Sequence, residues 1–124
     1  MSSSSEPGQV HELPTDLVVS RYAQLARRIL VRRQSRRNLL PQGMLVDVAW
    51  DLLLELLAGR GEPGANTTAA LAAAAGLSPT VADRWLGLLQ ADGLVCYRGH
   101  GWELSAGFLA RMIAHFREHY PDAI

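Results

Sequence analysis

The sequence predicts a mainly α-helical fold with one small β-hairpin. Apolar residues recur at three- and four-residue steps along most of the chain, which is typical of helices that bury one face. Two segments of strand composition, 94–97 and 102–104, flank the turn Gly99-His100-Gly101. The 124 residues, of which 48% are hydrophobic, suffice for one domain with a single core.

The middle of the chain predicts two helices joined by a tight turn. Thr67 or Thr68 caps the first helix, and Gly76 follows its last residue. Ser78 caps the second helix, and Pro79 occupies its first position, where a missing N–H costs nothing. Followed by the hairpin, this is a helix-turn-helix with a wing, an arrangement that mainly lays its second helix in a DNA major groove.

The second of these helices is predicted to bury one face and to expose the other. The predicted buried stripe is Val81, Trp85, Leu88 and Leu89. On the exposed side, Thr80 and Arg84 are the best base or phosphate contacts. The alternative is that Arg84 pairs with Asp83 or Asp92 and contacts no nucleic acid.

The charge distribution is uneven although the net charge is zero. Every one of the 12 cations is an arginine. Residues 17–40 carry seven arginines and no acid, whereas the chain after Pro41 carries more acids than arginines. Attraction to phosphate is therefore expected mainly from the N-terminal segment. The predicted DNA-contacting set is Ser78, Pro79, Thr80, Asp83, Arg84, Gly87, Gln90, Arg98, His100, Arg32, Arg33, Arg36 and Arg37.

Three further helices are predicted around this unit. The first runs from Thr15 to Leu40. Its basic second half is an arm on the DNA backbone, a solvated face, or a set of arginines that pair with the acids of later helices. The second, 44–57, has carboxylates on one face (Asp47, Asp51 and Glu55) that are expected to be solvated or to pair with the preceding arginines. The last runs from about Ala106 to His119.

Apolar stripes on the first and last helices predict a homodimer, because such stripes need a covering helix. The alternative is that both helices wrap their own domain. The predicted interface residues are Val18, Tyr22, Leu25, Ile29, Phe108, Met112 and Phe116. The predicted organisation is a disordered tail over 1–13 and a winged-helix domain over 14–124, divided into a basic dimerisation helix (14–41), the winged helix (43–104) and a C-terminal dimerisation helix (105–120).

From Ala49 onward the chain resembles the winged-helix domains of the MarR family of bacterial regulators, and above all its small stand-alone members. The matching positions are Ala49-Trp50-Asp51, Ala74-Ala75-Gly76, Pro79-Thr80, Arg84-Trp85 and Gly93-Leu94-Val95. The resemblance implies a DNA-binding homodimer with 78–92 in the major groove and the hairpin tip near the minor groove. The tip is shorter here than in that family, so contact between the wing and DNA stays open.

Other candidate sites are weak. Cys96 is interpreted as a packed thiol rather than a redox sensor, and His115 with His119 as surface residues rather than a zinc site. No enzyme constellation, cofactor or metal site is predicted. The resemblance implies a small-molecule effector as a further partner, with Trp50, Tyr22 and Phe108 lining its pocket, although filling the core is the stronger interpretation.

Two functions are left by the sequence. The favoured one is a sequence-specific transcriptional regulator that acts as a homodimer on double-stranded DNA. The alternative is a protein-interaction module that modulates another regulator without reading DNA. The Ser-rich start resembles no export signal and the chain has one cysteine, so a cytoplasmic location without membrane association is expected.

Overall fold

The computed structural model describes residues 15–38 and 47–123, and only the backbone of residues 35–38. Five helices and one hairpin are present in these ranges. They are α1 (Asp16–Asn38), α2 (Val48–Ala58), α3 (Thr68–Ala75), α4 (Pro79–Ala91), β1 (Val95–Tyr97), β2 (Trp102–Leu104) and α5 (Ala106–His119). The strands are antiparallel, with Val95 opposite Leu104 and Tyr97 opposite Trp102. The mainly helical class with a small hairpin is confirmed.

Side-chain caps begin the helices where the sequence predicts. Thr67 Oγ1 accepts a hydrogen bond from Ala70 N at 3.1 Å and begins α3. Ser78 Oγ accepts from Val81 N at 3.2 Å and begins α4. Between them Gly76 has a φ of +73°, the left-handed conformation that glycine adopts without a Cβ penalty. The turn between α3 and α4 is therefore encoded locally.

The start of α2 differs from the predicted range of 44–57. The helix begins at Val48 because Asp47 acts as its N-cap and accepts a hydrogen bond from Trp50 N at 3.3 Å. Residues 44–46 lie outside the described ranges, as does the predicted tail over 1–13. Among the described residues, no helix is long and apolar enough to cross a membrane.

The core is formed where α2 packs against α1 and where α1 meets α5. The rings of Tyr22 and Phe116 stack with centroids 6.2 Å apart. Leu25 and Met112 are also buried within the single chain. These residues were predicted to contact a second copy; that prediction is corrected, because α2 and α5 of the same chain cover the stripe of α1. Val18, Ile29 and Phe108 are partly buried against the same core.

The buried face of α4 is also corrected. Ala82, Leu86 and Leu89 are buried against α3 and the hairpin, whereas Leu88 is 58% exposed. Val81 and Trp85 are half-buried. The helix is rotated from the predicted orientation because the small side chain of Ala82, which is fully buried, allows that face to approach its neighbours.

The hairpin is attached to the start of α3 through Asn66. Trp102 N donates to Asn66 O at 2.9 Å, and Asn66 Nδ2 donates to Trp102 O at 3.0 Å. Asn66 thereby pairs with β2 on the side away from β1. This contact determines where the hairpin lies relative to α3 and α4.

Candidate nucleic-acid interface

The exposed face of α4 is polar along its length. Thr80, Asp83, Arg84, Gly87 and Gln90 are all exposed, as the sequence predicts. The side chains opposite them are the buried ones, so this face is turned to solvent because the other face packs on α3 and β1. We call this surface, defined by those five residues and Leu88, the α4 face.

Arg84 is the cation of the α4 face. Within the described residues its guanidinium forms no ion pair with Asp83 or Asp92. The structure therefore does not contain the alternative arrangement, in which Arg84 pairs with one of these acids. A planar guanidinium in this state has its donors available for a bidentate acceptor such as a guanine edge or a phosphate.

The N-terminus of α4 lies at one end of the same face. Ser78 is exposed, and its hydroxyl is already used to cap Val81 N. Pro79 has no N–H to offer, so the backbone donor left in the first turn is that of Thr80. A partial positive charge at this end of the helix dipole favours an anion here.

The tip of the hairpin has less cationic character than the sequence suggests. Arg98 Nε lies 3.5 Å from Glu103 Oε1, and both side chains are largely exposed. The turn is tight: Arg98 N donates to Gly101 O at 2.8 Å, and Gly99 has a φ of +81°. His100 is exposed at the tip. The tip therefore presents one imidazole and one partly neutralised guanidinium.

Three arginines of α1 bind acceptors of their own chain. Arg33 Nε lies 2.6 Å from Asp51 Oδ1, and Asp51 is only 5% exposed. Arg27 pairs with Glu55 at 3.4 Å. Arg28 donates to the backbone carbonyl of Ala123 at 2.9 Å. These three guanidinium groups tie α1 to α2 and to the C-terminus.

These contacts correct one prediction and confirm part of another. The prediction that Arg33 contacts DNA is corrected, because its guanidinium binds a buried carboxylate of its own chain. The expected pairing of the α2 acids with the arginines of α1 is confirmed for Asp51 and Glu55, whereas Asp51 is not on a solvated face, because α1 covers it. Arg32 is exposed and has no partner among the described residues. The side chains of Arg36 and Arg37 lie outside the described part of the chain.

The basic half of α1 lies near the turn that precedes α4. A shallow pocket of about 240 Å³ is lined by residues of α1, by Asp51 and Glu55 of α2, and by Ala74 and Ala75 at the end of α3. Gly76 follows Ala75 directly, and Ser78 comes two residues after Gly76. This part of α1 therefore lies near the end of α3, from which the turn leads to α4.

The other candidates from the sequence occupy separate places. A pocket of about 250 Å³ is lined by Trp50, Phe108, Arg111, Met112 and His115. Tyr22 does not line it, because its ring stacks in the core.

The imidazole rings of His115 and His119 lie 4.4 Å apart, and the described residues contain no group of three metal-ligating side chains. Cys96 is half-buried in β1.

Two residues important to this surface were not found from the sequence. Leu88 was assigned to the buried stripe, and only the rotation of α4 reveals its exposure. No role was predicted for Asn66, although a turn residue directly before a capping threonine is a local signal for a structured junction.

No protein-family model, curated protein or solved structure matches the chain.

Proposed function

We propose that the protein is a winged helix-turn-helix transcriptional regulator that binds double-stranded DNA in a sequence-specific manner. The observation that carries the proposal is the α4 face. This helix face is exposed and polar except for Leu88, and it follows a tight turn after α3. Arg84 near its centre has no ion-pair partner among the described residues. Helix-turn-helix proteins present such a face to the major groove.

The residues have different roles in this proposal. Arg84 reads a base edge, with guanine O6 and N7 as its preferred acceptors. Thr80 and the N-terminus of α4 contact a phosphate, which sets the position of the helix. Arg32, together with Arg36 and Arg37, supplies attraction to the backbone beside the groove. Arg33 is not part of the proposed DNA contact, because its guanidinium forms an ion pair with Asp51.

A homodimer on a palindromic site belongs to the proposal as well. Half-sites would lie about one helical turn apart. Since the predicted stripes are largely buried in one chain, the contact between copies requires other residues. Leu17 and Val31 are the exposed large apolar residues of α1, at 65% and 62% exposure, and they are the best candidates.

The proposal is tested by titrating the purified full chain against random genomic DNA fragments at low and at moderate salt and sequencing the bound fragments. Enrichment of a palindromic motif, with affinity that falls as salt rises, supports a dimeric regulator. Arg84→Ala should then relax the preference at one base pair by about 1–3 kcal/mol, while the same substitution should leave stability unchanged.

A second candidate function is a protein-interaction module. It is favoured by two observations: Leu88 and Tyr97 are exposed apolar side chains on α4 and the hairpin, and three arginines of α1 are bound within the chain. Under this alternative no DNA is retained even at low salt. The same titration therefore separates the two functions.

A further inference from the structure

Gly87 occupies a position where the fold of the single chain does not require glycine. It lies in the middle of α4, and its φ is not positive. A Cβ built on Gly87 would meet no atom of the described residues within 4 Å. Glycine at an exposed site inside a helix is less favourable than alanine, because it loses more backbone freedom on folding. Folding alone would therefore be served better by alanine.

The position of Gly87 on the helix indicates what the missing side chain permits. It lies on the α4 face, one turn after Arg84 and next to the exposed Leu88. A glycine in an exposed helix face allows another molecule to approach the backbone closely. Because no described residue of this chain comes within 4 Å of a Cβ at this position, we take the approaching molecule to be a separate one.

Leu88 indicates the chemistry of the contact. It is an exposed apolar side chain on the α4 face, and the exposed Arg84 lies one turn before it. An apolar protein surface would leave the guanidinium of Arg84 poorly paired. A major groove offers acceptors for the arginine and, at each thymine, one apolar methyl group.

We infer that Gly87 is the point at which α4 lies closest to the base pairs, and that Leu88 contacts the methyl group of a thymine. This inference rests on the proposed function and specifies its site. Arg84 and Leu88 are four residues apart and about 6 Å apart along the helix axis. The thymine accordingly lies about two base pairs from the base that Arg84 reads.

Gly87→Ala tests the close approach. The matched control is Gly107→Ala, a second exposed helical glycine with no atom within 4 Å of a built Cβ and no positive φ. Gly87→Ala is expected to raise the melting temperature by roughly 2–6 °C and to weaken binding to the selected DNA about tenfold or more. Gly107→Ala should leave DNA affinity unchanged. Unchanged affinity in Gly87→Ala would overturn the close approach.

Replacing thymine by uracil tests the contact with Leu88, since uracil lacks only the methyl group. Each thymine of the selected duplex is replaced in turn. At one position in each half-site the wild-type chain should lose about three- to fivefold in affinity. This is the loss expected when the burial of one methyl group is removed. Leu88→Ala should bind the thymine and uracil duplexes equally.

The outcomes distinguish this inference from the function on which it rests. If the wild-type chain selects no DNA sequence, the proposed function fails and the inference falls with it. If the wild-type chain binds a selected site but tolerates uracil at every position, the proposed function stands and the Leu88 contact is wrong. A uracil effect that persists in Leu88→Ala also contradicts the assignment, because another side chain then contacts the methyl group.

Discussion

The indole Nε1 of Trp102 donates a hydrogen bond to Thr68 Oγ1 at 3.0 Å, and this bond joins β2 to the first residue of α3. Trp102 is 7% exposed, and its ring lies edge-on to Tyr97 with centroids 5.1 Å apart. The hairpin and the α3–α4 unit are thereby held in one orientation. Any surface that uses both α4 and the hairpin tip depends on this junction.

Thr68→Val should destabilise the protein by about 1–3 kcal/mol, because it keeps the shape of the side chain but leaves a buried indole N–H without its acceptor. Urea unfolding at equilibrium measures the loss. Thr80→Val is the matched control, since Thr80 is exposed and should change stability by less than about 0.5 kcal/mol. Equal effects at the two sites would contradict the role assigned to the bond.

Gly101→Ala should also destabilise the junction. An added Cβ would lie 2.5 Å from the side-chain amide of Asn66, and that amide is held by its bond to Trp102 O. Overpacking of this kind costs about 1–3 kcal/mol. The double variant Asn66→Ala/Gly101→Ala removes the obstructing atoms, so the cost of adding the methyl group should fall in that background. Additive effects of the two changes would show that they do not contact each other.

Arg33→Gln should lower the free energy of unfolding by about 1–3 kcal/mol, because it removes a guanidinium partner from the buried carboxylate of Asp51. Arg27→Gln is the control: its pair with Glu55 is longer, and Arg27 is 46% exposed, so the expected loss is less than about 1 kcal/mol. Thermal and urea unfolding give both values. If Arg27→Gln lost more unfolding free energy than Arg33→Gln, the conclusion that Arg33 is the more important arginine for stability would be wrong.

If the proposed function is correct, Arg32→Gln should weaken DNA binding equally for all sequences and reduce the slope of affinity against salt by about one, without a change in stability. Arg28→Gln serves as the control, because Arg28 is bound to the carbonyl of Ala123. Binding titrations at several salt concentrations measure both slopes. A salt slope that is the same in Arg32→Gln and the wild-type chain would remove Arg32 from the interface.

Leu17→Gln/Val31→Gln should convert the proposed homodimer to monomers while leaving the fold intact, since both side chains are exposed in the single chain. Tyr22→Ala should instead destabilise the chain by about 3–5 kcal/mol, because the ring is buried against Phe116. Light scattering after size-exclusion chromatography and urea unfolding separate the two effects. A dimer that survives the double change would place the interface elsewhere.

The local elements follow from short segments of the sequence. The caps at Thr67, Ser78 and Ser105 act through hydrogen bonds that span three residues, and Gly76 ends α3 through its own backbone conformation. These signals lie within a few neighbouring residues, so they can be predicted without knowing the rest of the fold. The exposed polar residues of the α4 face were also predicted from neighbouring residues, through the helical spacing of polar and apolar side chains.

The tertiary structure was needed to show which residues meet over long distances in the chain. It rotated α4 so that Leu88 is exposed, covered the stripe of α1 with α2 and α5, and used Arg33 to neutralise Asp51. A helical spacing pattern shows that a face is apolar, but it carries no information about the element that covers it. Packing depends on the shapes and charges of segments far apart in the chain, and these are brought together only by folding.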